Sequence, residues 1–254
     1  MENGPPLAVK VWGDFACFTR PEFGVERVSY EVMTPSAARG ILEAIFWKPE
    51  FRWLVREIKV LPSVKRDPRG KPVEEAGPES QRIRHFSVLR NEMNSTQSER
   101  SARSWEKNGG GYYADEDRAQ RHTLCLRDVA YVISADIELK EHVKDPPAKY
   151  RDQFRRRVKR GQCFNQPYLG TREFSAFFGP PDGDEQAIDL DDDLGRMLFD
   201  VRFVPAAKGK VSHAAHGPGG RDIVEADARP EFFQARLEEG KLKVPQELYE
   251  RGQP

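Results

Sequence analysis

Residues 34–61 read TPSAARGILEAIFWKPEFRWLVREIKVL, and this stretch decides the fold. Thr34-Pro35 is a helix opening. A threonine hydroxyl accepts from the unpaired N–H groups of the first turn, and proline at the first helical position already has the required φ. Ala37, Ala38, Ile41, Leu42 and Ile45 then recur on one face at helical spacing. Pro49 disfavours helical geometry at Lys48, so the helix must stop near Trp47. From Phe51 to Leu61, with Trp53, Val55, Ile58 and Val60, the chain reads as a strand. Helix, tight corner and strand together form part of a split βαβ unit.

Working outward, Leu7–Phe18 alternates apolar and polar residues and predicts the preceding strand. Beyond the corner, Lys65–Arg82 is rich in Pro, Gly and charge and reads as a surface insertion. His85–Met93 alternates again, and residues 94–120 form a Ser-, Gly- and charge-rich arm. His122–Leu139 predicts a hairpin or one long bent strand. Pro146-Pro147 punctuates, Ala148–Arg160 reads as a second helix, and Gly161 ends it. Tyr168–Phe178 reads as a further strand, closed by Pro180-Pro181. The order is strand, helix, strand, elaborated strand, helix, strand. That predicts an α+β, ferredoxin-like domain over residues 1–181, an antiparallel sheet with two helices on one face. In residues 182–254 we expect an acidic linker to Asp193, a strand at Leu198–Val204 and a short helix at Pro230–Gly240.

The 254 residues are 38% hydrophobic and 32% charged, enough to bury a core beneath a densely charged surface. No apolar run approaches the roughly 20 residues of a membrane span. MENGPPLAVK lacks the layout of a secretory signal. Cys17, Cys125 and Cys163 are far apart and odd in number, which fits free thiols in a reducing compartment. We expect a cytoplasmic protein with no metal and no cofactor. His213 and His216 fall in a Gly-rich stretch that reads as loop. The zero net charge hides a split: residues 1–181 hold 31 Lys+Arg against 25 Asp+Glu, and residues 182–254 hold 10 against 16. A cationic first part points to a polyanionic partner.

The second helix sharpens that. Lys149, Arg151, Arg155, Arg156, Arg157, Lys159 and Arg160 lie within twelve residues, against the single acid Asp152. Phe154 and Val158 can anchor one stripe to a sheet. The remaining faces repel themselves unless something anionic neutralises them, and a phosphate backbone does so with release of counterions. Aromatics beside basic residues, in Phe46-Trp47-Lys48 and Phe164–Tyr168, suit stacking on unpaired bases. A nucleic-acid reading follows.

WGDFACFTRPE (12–22), SYEVMTPSAARGILEAIFWKPEFRW (29–53), LRNE (89–92) and RGQCFNQPYLGTREF (160–174) together resemble the CRISPR-associated Cas protein family five, subtype I-C, of the RAMP superfamily. The resemblance runs over about residues 8 to 178. It implies a ferredoxin-like (RRM-like) domain followed by a smaller, mostly β C-terminal domain. It implies binding of the repeat hairpin of precursor CRISPR RNA and a metal-independent cut by attack of the 2′-hydroxyl. It further implies retention on the 5′ handle within the Cascade complex, beside the large subunit and the backbone subunit.

The family's catalytic positions match Phe46, where the family has Tyr or His, and Lys149-Tyr150, where it has Lys-His. Lysine is kept and two polar groups are changed. Phe46 can move no proton, and Tyr150 suits an acid better than a base at neutral pH. The resemblance therefore leaves two outcomes. In one, Lys149 holds the scissile phosphate, Tyr150 is the acid, and the base comes from elsewhere, with His122 and His85 as candidates. In the other, cleavage is lost and handle binding is kept. A general duplex binder is a weaker third reading. For RNA contact we expect Arg39, Trp47, Arg90, Asn91, Arg151, Arg155, Arg156, Arg157, Lys159, Arg160, Gly170 and Arg172. Glu92 can hold the turn beside Arg90.

Overall fold

A computed structural model describes residues 4–23, 26–93, 118–206, 211–217 and 220–250. Its spine is strand β5 (Arg118–Leu139), one continuous strand rather than a hairpin. Around it run β1 (Leu7–Ala16), β2 (Arg27–Val28), β3 (Phe51–Val60), β4 (His85–Met93) and β6 (Phe177–Gly179). β7 (Asp192–Pro205), β8 (Val211–Gly217), β9 (Gly220–Glu238) and β10 (Lys241–Lys243) follow. The sheet order is β6-β1-β5-β3-β10-β9-β7, with β2 and β4 also on β5 and β8 on β9. The N-terminal part of β5 pairs with β4, from His85↔Leu126 to Met93↔Arg118. Its remainder pairs with β1 and β3, for example Val9↔Ile133 and Phe51↔Leu139. β10 joins the C-terminal strands to β3 through Leu242↔Ile58.

The helices form as the local chemistry dictates. In α1 (Pro35–Ile45) the Thr34 hydroxyl accepts from the Ala37 N–H, and Pro35, Ala38, Ile41, Leu42 and Ile45 are buried. In α2 (Pro147–Arg160) Tyr150, Arg151, Phe154 and Val158 are buried. Gly161 takes the left-handed conformation at φ 63° and closes the helix on the Arg157 and Val158 carbonyls. Both helices contribute to one core with Val9, Val11, Trp53, Val55, Ile58, Tyr131 and Ile133. A four-residue helix, α3 (Glu247–Glu250), follows β10.

Several sequence expectations fail for tertiary reasons. Alternation puts Trp12 on the polar side of β1, yet it is buried in a second cluster with Leu61, Ala130 and Val132. Gly70 of the 65–82 insertion lies against the Trp12 ring, so that insertion covers the sheet's other face. Tyr168–Phe178 is a strand only from Phe177. Before it, a loop closed by the Tyr168↔Ser175 bridge folds back on β1. Pro230–Gly240 is not a helix: Pro230–Glu238 is the second half of β9, and Glu239-Gly240 is the turn into β10. Phe233, Ala235 and Leu237 are buried at a period of two on the core face of the sheet, where β9 pairs with β7. His213 and His216 lie in β8, not in a loop. Residues 94–117 of the expected arm lie outside the described residues.

Candidate active site

The corner between α1 and β3 meets the opening of α2, and the three positions to which the resemblance gives a catalytic role lie there. Phe46 caps α1 and is buried. Its ring packs on Phe51 at 5.2 Å between centroids, and Phe51 packs on Tyr150 at 5.5 Å. Trp53 closes the floor against Phe154 and donates its indole N–H to the Phe46 carbonyl at 2.9 Å. The last carbonyls of α1, which a helix leaves without intrahelical partners, find them in the loop and in α2. Ala44 accepts from the Phe164 and Asn165 N–H groups, and Ile45 accepts from Arg157 at 2.8 Å.

On this aromatic floor stands a polar cluster. Lys149 Nζ donates to Asp145 Oδ2 at 2.7 Å, and both groups are about half exposed. The Tyr150 hydroxyl donates to the same oxygen at 3.4 Å. Lys48 and Lys149 both approach the Tyr150 ring, at 5.8 and 5.9 Å from its centroid. The hydrogen bond from Lys149 holds the Asp145 carboxyl below the usual range, and the same bond raises the lysine. Burial, then the charges of Glu50 and Asp145, push the Tyr150 phenol up. At neutral pH the corner therefore holds a half-exposed ammonium and an ionised carboxylate, with a protonated phenol buried beneath them. That set can neutralise a phosphate and supply a proton.

From Lys149 a basic track runs along α2. Arg156 and Arg160 follow at i+7 and i+11 on the same stripe, about 16 Å in all at ~1.5 Å per residue. Arg155, Arg156, Lys159 and Arg160 are exposed. Arg155 pairs with Asp152 at 3.2 Å, an exposed contact.

Four expected RNA contacts are turned to other uses. Arg151 is buried and donates to the Pro5 carbonyl, tying the N-terminal segment to α2. Arg157 stacks over the Phe46 ring and caps α1. Arg39 donates twice to Asp200 of β7 and once to Glu43, and those carboxylates outweigh the effect of burial and raise its pKa. Gly170, at φ +87°, makes its close approach to this chain's own backbone, because a Cβ there would sit 2.0 Å from the Cys17 carbonyl oxygen. Arg172 is exposed and Trp47 half-buried. Arg90, Asn91 and Glu92 lie opposite Arg121, Gln120 and Ala119 in the ladder, and their side chains fall outside the described residues. His85 and His122 are exposed on the β4–β5 ribbon, with His122 Nδ1 3.3 Å from Ser87 Oγ. Neither belongs to the corner cluster.

Sequence reasoning missed Glu50 and Asp145, and it noted Lys48 only as the basic residue beside Phe46 and Trp47. Asp145 carried a usable signal, four residues before Lys149, where a helical opening brings the two together. Lys48 and Glu50 flank Pro49 and gave no periodic signal.

No described helix is long and apolar enough to cross a membrane. Residues 6–245 match the CRISPR-associated protein family Cas5d. A CRISPR pre-crRNA endoribonuclease Cas5d of Thermus thermophilus is 48% identical over 244 residues, 96% of this chain and 93% of that protein. The namesake enzyme of Mannheimia succiniciproducens is 38% identical over 252 residues, 94% of each chain. Among solved structures, a CRISPR-associated protein superposes with TM-score 0.54 at 21% identity, covering 94% of this chain and 92% of that one. A protein from Streptococcus mutans does so with TM-score 0.54 at 20% identity and the same coverage. These two likenesses establish the fold, and the sequence relationship establishes the kinship. The chain belongs to the CRISPR-associated Cas5d family.

Proposed function

We propose that this protein matures guide RNA. It binds the repeat hairpin of precursor CRISPR RNA, cuts once at the base of the stem, and stays on the 5′ handle as a subunit of a subtype I-C Cascade complex, beside the large and backbone subunits. The supporting observation is the Asp145–Lys149–Tyr150 cluster at the head of the Lys149, Arg156, Arg160 track. A phosphate held at Lys149 has the Tyr150 phenol beside it and cationic side chains leading away from it. The order β6-β1-β5-β3, with α1 and α2 in the two crossovers, supports a ferredoxin-like arrangement for the first part of the chain. The curated relatives carry the name of pre-crRNA endoribonucleases, which supports the same reading.

The proposed cut is metal-independent. The ribose 2′-oxygen attacks the adjacent phosphorus, Lys149 balances the charge that builds on the non-bridging oxygens, and Tyr150 protonates the departing 5′-oxygen. The alternative, a handle-binding subunit without nuclease activity, is favoured by one observation: Phe46, at a family catalytic position, is a buried apolar ring. Incubating the purified protein with its own repeat RNA in EDTA separates them. One cut at the stem base with a 2′,3′-cyclic phosphate is expected; tight binding without a cut makes it the non-catalytic subunit.

A further inference from the structure

The corner lacks an evident base. Phe46 has no proton-accepting side-chain atom, Tyr150 and Lys149 hold their protons, and the Asp145 carboxylate is shared between them. Glu50 is the acidic group there that remains uncommitted. It immediately precedes Phe51, whose ring touches both Phe46 and Tyr150. Its main chain is pinned, because its carbonyl accepts from the Lys140 N–H at 2.9 Å. Its side chain is half-buried, and Oε2 is out of water without a hydrogen-bond donor among the described residues. Folding tolerates such an oxygen at a cost, so its presence calls for a reason outside stability. After burial, the Glu50 charge is the next largest influence keeping the Tyr150 phenol protonated, which couples the two groups across the site.

We infer that Glu50 is the general base of the cut, the carboxylate that takes the proton of the 2′-hydroxyl. The inference rests on the cleavage reading above. As the 2′-oxygen bonds to phosphorus, its proton passes to Glu50. The bond from phosphorus to the 5′-oxygen breaks, its electron pair stays on that oxygen, and the Tyr150 phenol protonates it. Once product leaves, Glu50 releases its proton to water and the tyrosinate regains one, restoring both groups.

The test is single-turnover cleavage of the protein's own repeat hairpin in EDTA, beside hairpin-binding titrations, for the wild type, Glu50→Gln and Glu50→Asp. Glutamine keeps the shape but accepts no proton. Glu50→Gln is expected to cut about 10²–10⁴-fold more slowly and to bind the hairpin within a few fold of wild type. Glu50→Asp, which restores a carboxylate, should recover part of the rate. A Gln variant that cuts at the wild-type rate overturns the role of Glu50 and leaves the nuclease standing. So does a loss of rate that comes with weaker binding and that Asp does not relieve, the signature of a merely structural residue. A wild type that binds but does not cut overturns both readings together.

Discussion

The basic helix α2 and the acidic segment 182–254 carry opposite charge, yet they use it differently. In the acidic segment several of the described carboxylates tie separate elements together. Asp200 binds Arg39 of α1, and Asp182 and Glu185 hold the buried Lys10 of β1 at 2.8 and 3.5 Å. On α2 the inward arginines do the same kind of work, but Arg156, Lys159 and Arg160 are exposed and have no carboxylate at ion-pair distance among the described residues. Charge that is paired across elements builds the fold; the charge left unpaired on the outer face of α2 is the surface that the proposed function gives to RNA. On that reading the charge split of the sequence marks one ligand surface, not two.

Substitutions that remove the head of the stripe should have the largest effect. Lys149→Ala is expected to abolish cleavage, a loss of at least ~10²-fold, while hairpin affinity stays within a few fold. Full activity in that variant would move the site elsewhere. Next come the exposed arginines. Arg156→Glu with Arg160→Glu should weaken hairpin binding and flatten the dependence of log affinity on log salt by roughly 1.5–2 units; an unchanged slope would put the RNA on another face.

The paired arginines sharpen the contrast. Arg39→Ala should cost about 1–3 kcal/mol of stability, because Asp200 loses a charged donor. Its salt slope should match wild type, as read by urea melts and binding titrations side by side. A smaller effect is expected in alkali. Burial pushes the Tyr249 phenol up to about 12 and raises Tyr30 and Tyr131 as well. The fold favours the neutral phenol while unfolded tyrosine ionises near about 10. This contribution is complete below about pH 10 and is lost as pH climbs through the folded values. Urea midpoints measured across the alkaline range check it, and a flat profile would refute the burial argument. The smallest change is expected from Phe46→Tyr. With Glu50 as base, an added phenol at the dry floor should leave the cleavage rate within a few fold; a large acceleration would restore position 46 to the chemistry and remove Glu50 from it.

The parts of the fold legible in the sequence are those governed by neighbours in the chain. Thr34-Pro35 and Gly161 mark helix ends because capping and left-handed geometry are local, and Phe154 and Val158 mark the buried side of α2. Pro230–Gly240 misleads because its alternation of Phe233, Ala235 and Leu237 takes meaning only from the β7 strand beside it. The same holds for Trp12, whose ring is covered by Gly70 from a distant insertion.

The sequence by itself determined the family, the two amphipathic helices, the basic helix and the lysine of the candidate site, since each is carried by residue type at short spacing. Only the tertiary structure decided which arginines are structural. Spacing puts Arg151 on the stripe of Phe154 and Val158 and Arg156 opposite it, but only the packing of α2 against the N-terminal segment and α1 shows what Arg151 and Arg157 bind there. Tertiary structure alone also brought Lys48 and Glu50 to the corner of Asp145 and Lys149, which local spacing already pairs. Their charges interact across the contact between the α1–β3 turn and the opening of α2, a contact made by the Phe46, Phe51 and Tyr150 rings that no local pattern announces.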